Sequence, residues 1–226
     1  MKRGKRYSAL KSKLEPSKVY SLNEALAFII QSHPEKFDAG VEVHLKLGID
    51  TKKSEQQVRS TITLPHGTGK TKKVAAFVTS GKEAEAKEAG ADLVGGEDLI
   101  AEIKKTEKTD FELAVAMPEM MPKLSSIAKI LGTRGLMPSP KNETVTTNIK
   151  KTIEELKKGK VAFKSDNTGN IHQLIGKVSF GEAKLGENFT VLLEAIKKVR
   201  PAGTKGIFLK SVTLCTSMGP GVRVAV

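Results

Sequence analysis

From Val41 to Ile49 the chain alternates cleanly. Val41, Val43, Leu45, Leu47 and Ile49 are apolar, and Glu42, His44 and Lys46 stand between them. A period of two places these sets on opposite faces of a strand, one toward a core and one polar. Residues 58–64, Val-Arg-Ser-Thr-Ile-Thr-Leu, alternate again, and the two strands are expected to pair antiparallel. Upstream, Ser21 and Glu24 have the spacing of a capping box, which satisfies two free backbone donors at a helix start. Leu22, Ala25, Leu26, Ile29 and Ile30 supply that helix with one apolar face.

The middle of the chain changes style. Val74–Val78 is a continuous apolar run, as in a strand covered on both sides. A helix follows over Lys82–Ala89, stopped by Gly90. Asp92–Val94 reads as a short strand, and Leu99, Ile100 and Ile103 mark the next helix. Phe111–Ala116 is another strand, and Pro122 suits the first turn of a helix with Leu124, Ile127, Ala128 and Leu131 on one face. Asn148–Lys158 is a last helix before Gly159. Strands alternating with helices predict a three-layer α/β unit with a mainly parallel sheet.

From residue 160 the antiparallel style returns. Val161–Lys164 and Ile171–Val178 read as strands around the turn Ser165–Asn170. A helix follows with Phe189, Leu192, Leu193, Ile196 and Val199 on one face, and then a long strand, Gly206–Thr216. The ends therefore predict one discontinuous α+β domain, residues 1–66 and 160–226, with an α/β domain, 67–159, inserted in it. Gly67, Gly69 and Gly159 mark the two crossings and suit a hinge.

Charge sharpens this division. The 226 residues carry a net charge of +13, of which residues 1–66 hold +5, 160–226 hold +6 and 67–159 only +2. A polyanion partner is implied, and it should meet the domain made from the two ends. Charge alone leaves DNA open. Aromatic residues are 4% of the chain, too few for a single-strand stacking platform. Folded RNA, read by shape, 2′-hydroxyl and backbone contacts, fits better. No apolar run has membrane-spanning length, so no membrane partner is expected. One cysteine, Cys215, is expected to exclude an internal disulfide framework and any cysteine-based zinc site. The four histidines, His33, His44, His66 and His172, lack metal-ligand spacing. A metal-free intracellular protein without a cofactor is the expectation.

Two stretches invite a catalytic reading and fail it. Gly67-Thr68-Gly69-Lys70-Thr71 resembles the end of a phosphate loop, but Leu64 occupies the position of the first glycine and a strand, not a helix, should follow. An NTPase site is therefore disfavoured. Asp166 and His172 could form a base and its orienter, but no nucleophile has matching spacing. Binding chemistry has better candidates. Ser211 and Thr213 fall on the side of the last strand opposite Val212 and Leu214, and offer hydroxyls at fixed spacing. Ser217-Met218-Gly219-Pro220 forms a tight turn whose glycine suits close backbone approach and whose methionine suits packing on a base or sugar. Lys36-Phe37-Asp38 sets an aromatic ring beside a cation.

These residues have a family resemblance. Lys2-Arg3-Gly4-Lys5-Arg6-Tyr7, Lys36-Phe37-Asp38, Val41-Glu42-Val43-His44, Leu47-Gly48-Ile49-Asp50 and Leu64-Pro65-His66-Gly67-Thr68-Gly69-Lys70 occur in order. Ala89-Gly90-Ala91-Asp92, Gly95-Gly96, the run from Arg134 to Lys141 and Ser217-Met218-Gly219-Pro220 follow. The chain resembles, over nearly its whole length, the bacterial form of the large-subunit ribosomal protein L-one family. The resemblance implies a Rossmann-like inserted domain and no enzymatic activity. It implies a cytoplasmic, ribosome-bound monomer that binds large-subunit (23S) rRNA at the mobile stalk and assists release of deacylated tRNA at the exit site. It also implies repression of translation from its own mRNA. An RNA-binding regulator outside the ribosome is the alternative. Carried over by position, the RNA contacts are Lys36, Phe37, Lys46, Asp166, Thr168, His172, Ser211, Thr213, Ser217, Met218, Gly219 and Pro220. Ser217 departs from a usual Thr and keeps the hydroxyl, while Gly40 lacks a polar side chain often found there. Thr133 and Ser139 replace a usual Pro and Asn in the inserted domain.

Overall fold

The computed structural model of the protein describes residues 4–15, 18–32, 36–79, 81–204 and 206–225. Lys2, Arg3 and His33 lie outside the described residues. In chain order the elements are α1 (Lys5–Ser12), α2 (Leu22–Gln31), β1 (Gly40–Leu47), β2 (Arg59–Thr63), β3 (Val74–Phe77), α3 (Glu83–Glu88), β4 (Leu93–Gly95), α4 (Glu97–Thr106) and β5 (Leu113–Ala116). They continue with α5 (Met121–Leu124), α6 (Ala128–Thr133), α7 (Ile149–Lys158), β6 (Lys160–Lys164), β7 (Asn170–Lys177), α8 (Gly181–Lys198), β8 (Leu209–Thr216) and β9 (Val222–Val224). The chain divides into two compact units, Met1–Gly69 with Val161–Val226, and Lys70–Lys160. The fold is mixed α/β, with an antiparallel sheet in the first unit and a parallel sheet in the second.

In the first unit the sheet order is β7-β1-β8-β9. The alternation in β1 does what its period requires: Val41, Val43, Leu45 and Leu47 are at most 2% exposed, and the residues between them are half-buried. Helices α2 and α8 cover the apolar face. The capping box at the start of α2 forms, Glu24 N–H donating to Ser21 Oγ and Ser21 N–H to the Glu24 carboxylate. The Ser21 N–H and then the Ser21 hydroxyl, both acting on the Glu24 carboxylate, hold it below its usual pKa. Each buried Leu, Ile or Phe of this core adds about 1.5–3 kcal/mol.

Strand partners differ from the sequence expectation. β1 does not pair with β2; it lies between β7 and β8, antiparallel to both. β2 instead forms a two-stranded sheet with β6. Likewise β6 and β7 do not form one hairpin, and the turn between them carries the chain from one sheet to the other. Alternation fixes which side of a strand is buried but not its neighbour, which depends on residues far away in sequence. The last long strand starts at Leu209, later than Gly206, which holds a left-handed φ of 79°. Lys46 faces Ser211 whereas Leu47 faces Leu209, so Lys210 is the extra residue of a bulge.

The second unit is built on the parallel order β4-β3-β5. Every residue of β3 is fully buried, which explains its continuous apolar sequence. The helix expected after Pro122 is broken into α5, a 3₁₀ turn at Ser125–Ile127 and α6. Ser125 and Ser126 hydroxyls donate to the carbonyls of Pro122 and Lys123 at 2.5 and 2.9 Å, competing with regular helical geometry. Leu124, Ile127 and Leu131 are buried nonetheless. The segment after Gly69 leads into β3 with no intervening helix, so Gly69-Lys70-Thr71 has no helix N-terminus to offer a phosphate.

Candidate functional site

The uncovered face of the first unit's sheet is polar and follows directly from register. Across the strands, Asn170, Lys46 and Ser211 lie in one row, and His172, His44, Thr213 and Arg223 in the next. Leu174, Glu42 and Cys215 form a third. Lys46, His172, Ser211 and Thr213, singled out in the sequence, thus share one surface. Arg223 joins them from β9, a strand too short to show an alternating pattern.

At one end of this face stands the Asp166 turn. The Asp166 carboxylate accepts from Thr168 N–H at 2.9 Å, Asn170 N–H at 2.7 Å and the Thr168 hydroxyl at 2.7 Å. The Asn170 amide hydrogen and the Thr168 hydroxyl, with smaller help from Thr168 N–H, hold its pKa far below the usual carboxylate range. These bonds make the carboxylate part of the turn itself. Thr168 in turn accepts the Lys46 ammonium on its carbonyl at 2.6 Å, fixing a positive charge at the rim of the face.

At the other end, Gly40 N–H donates to Ser217 Oγ at 3.2 Å and Ser217 N–H to Gly40 O at 3.0 Å. These bonds bring the 217–220 turn beside the chain that enters β1. Met218 is 55% exposed and Phe37 54%, so two large apolar side chains stand in solvent at the same sheet end. Lys36 is also exposed. Two of the expected contacts also hold the turn together. A side chain at Gly219 would collide with Thr216 of its own chain, so the turn's packing requires the glycine. Pro220 is buried, and shapes the turn from within.

The crossing from β2 to β3 is tied to α8 by a residue the sequence did not flag. Asn188 is fully buried and uses both ends of its amide. Its oxygen accepts from His66 N–H at 3.1 Å, and its nitrogen donates to Gly67 O at 3.0 Å and Ile175 O at 2.7 Å. Gly67, Gly69 and Gly159 have φ of 64°, 71° and 110°, a region that favours glycine. At the return crossing, Lys160 bonds Glu155 at 2.8 Å and Glu143 at 2.5 Å. Burial works against its charge, but the two carboxylates prevail and raise its pKa.

Register also gathers one cluster that the sequence did not flag. Glu42, His44 and Cys215 converge on the open face, with ligand atoms all within 4.8 Å of one another. The sequence placed Glu42 and His44 on one side of a strand, but Cys215 joins them only through the pairing of β1 with β8. Burial and the nearby His172, with Glu42 in opposition, leave the His44 pKa lowered. Burial and the Glu42 carboxylate push the Cys215 thiol up to about 11.

The fold and this face define a basic two-unit α/β protein with one polar sheet surface left open. The model of the Ribosomal protein L1p/L10e family matches residues 29–220, and the chain belongs to that family. It is 50% identical over 220 residues to the large ribosomal subunit protein uL1 of Mycoplasma capricolum, covering 97% of each chain. The uL1 protein of Bdellovibrio bacteriovorus is 49% identical over 221 residues, 98% of this chain and 94% of its own. That of Thermosipho africanus is 48% identical over 223 residues, 99% and 96% respectively. These relatives are ribosomal proteins and not enzymes.

Proposed function

We propose that the protein is a structural constituent of the large ribosomal subunit in the cytoplasm, where it binds 23S rRNA at the mobile stalk. The observation that carries this reading is the open polar face of the first unit, set in the part of the chain that holds most of the positive charge. Residues 1–66 and 160–226 form the rRNA-binding domain. Lys36, Phe37, Lys46, Thr168, His172, Ser211, Thr213, Ser217 and Met218 line the contact, and Asp166, Gly219 and Pro220 shape its two ends. Residues 67–159 form a Rossmann-like domain that swings on Gly67, Gly69 and Gly159, and so assists release of deacylated tRNA. The same face binds a similar fold in the protein's own mRNA and represses its translation.

The test measures binding of the full chain to stalk rRNA and to a random RNA of equal length, over a range of salt. Ser211→Ala with Thr213→Val should weaken the stalk complex and leave random RNA nearly unchanged. Equal loss on both would show that this face does not read the RNA. The mRNA role requires a leader RNA to compete with stalk rRNA for the protein; simultaneous binding of both would refute a shared face.

A further inference from the structure

Glu42 and Cys215 are direct partners across β1 and β8, and His44 lies two positions along β1 on the same face. Cys215 Sγ is 3.0 Å from His44 Nε2, and that nitrogen is 3.9 Å from a Glu42 carboxylate oxygen. We propose that these three side chains form a zinc-binding site, with water as the fourth ligand. Thiolate, imidazole and carboxylate together suit zinc; magnesium and calcium require oxygen ligands. Three protein ligands with one open position is an arrangement zinc adopts readily. Zinc bonds of about 2.3 Å to sulfur and about 2.0 Å to nitrogen would set those atoms about 3.5 Å apart, so the pair must open by only about half an ångström.

A second feature supports the site independently. The other ring nitrogen of His44, Nδ1, lies 2.7 Å from Nδ1 of His172. His172 Nε2 is 3.7 Å from the Asp166 carboxylate, which the turn at Thr168 and Asn170 holds in place. This chain favours the His44 tautomer with its proton on Nδ1, donated to His172. The Nε2 lone pair then faces Cys215. Metal-binding histidines are oriented in this way, by a partner on the nitrogen that does not touch the metal. In the metal-free protein the thiol donates its S–H to Nε2. On binding, Zn²⁺ takes the sulfur and nitrogen lone pairs, and the thiol proton leaves to solvent. No electrons are transferred.

The experiment uses the full-length, metal-stripped protein, with Zn²⁺ titrated against a chromophoric chelator and Co²⁺ as the spectroscopic probe. One Zn²⁺ per chain is expected, and Co²⁺ should show a sulfur-to-metal charge-transfer band with four-coordinate d–d bands. Cys215→Ser should abolish the charge-transfer band, and Glu42→Gln and His44→Gln should weaken binding. His172→Gln should keep the band but lower affinity by about 10–100-fold, the usual effect of losing an orienting partner. Unchanged zinc affinity in Cys215→Ser, or a Co²⁺ complex without the sulfur band, would overturn the proposal. A measurement on the unaltered chain guards against misfolded variants: Zn²⁺ should slow alkylation of Cys215, and an unchanged rate would also overturn it.

Discussion

The Asp166 carboxylate accepts from two backbone N–H groups and a hydroxyl within four residues of itself. Its folded pKa is depressed, so its stabilising contribution is complete above the unfolded value of about 4. It is lost progressively as pH falls from that value toward the folded pKa, well below it, because the unfolded chain takes up the proton first. In an NMR titration, the Asp166 carboxyl should stay ionised while ordinary exposed carboxyls protonate; titration with the others would refute the hydrogen-bonded turn. Met218 makes the opposite case, since its side chain is 55% exposed and not part of a core. Met218→Ala should leave thermal stability nearly unchanged but weaken stalk rRNA binding by about 1–3 kcal/mol, the range of a base contact or base stacking. Equal weakening on random RNA would assign the residue no part in recognition.

At the scale of elements, α8 holds the crossing through Asn188. Asn188→Leu would fit a similar volume but strand His66 N–H and the Gly67 and Ile175 carbonyls, each such loss costing about 1–3 kcal/mol when buried. Water reaches part of the crossing, so the total should be about 2–4 kcal/mol, read as a lower urea midpoint with an unchanged slope. A shift smaller than about 0.5 kcal/mol, the scale of an ordinary surface substitution, would show that the ties are dispensable. Asn188 also marks the limit of what the sequence discloses. The faces of β1, the capping box of α2 and the apolar stripe of α8 were legible, because each follows from spacing within a few residues. The partner of β1, the bulge at Lys210 and the ties of Asn188 to His66 and Gly67 depend on residues more than a hundred positions away, and left no local trace. The open face was legible in part. Lys46, Ser211 and Thr213 could be assigned a side, but Cys215 meets Glu42 and His44 only through the register of β1 and β8.

At the scale of the whole molecule, two cores share no residue. One gathers Leu26, Val43, Leu45, Phe189 and Leu214, and the other Val74, Phe77, Ile100, Leu124 and Ile153. The first should therefore survive removal of the second unit, provided a short linker joins the ends left at the crossings. Net charge divides unevenly as well, +11 of +13 lying in residues 1–66 and 160–226. If those residues neutralise the rRNA phosphates, the salt dependence of binding belongs to them. Each neutralised phosphate contributes a slope of about −0.7 to −0.9 in log K against log salt. Replacing residues 67–159 with a linker should then leave affinity for stalk rRNA within about tenfold, or about 1.4 kcal/mol, and change the slope by less than one phosphate equivalent. The shortened protein must first show cooperative unfolding, so that a lost core is not mistaken for a lost contact. Folded protein with collapsed binding would place the essential RNA contacts in the inserted unit. Folded protein with intact affinity but a much shallower slope would mean that lysines of the inserted unit carry the phosphate contacts. Only intact affinity with an intact slope supports recognition by the open sheet face and its own charges.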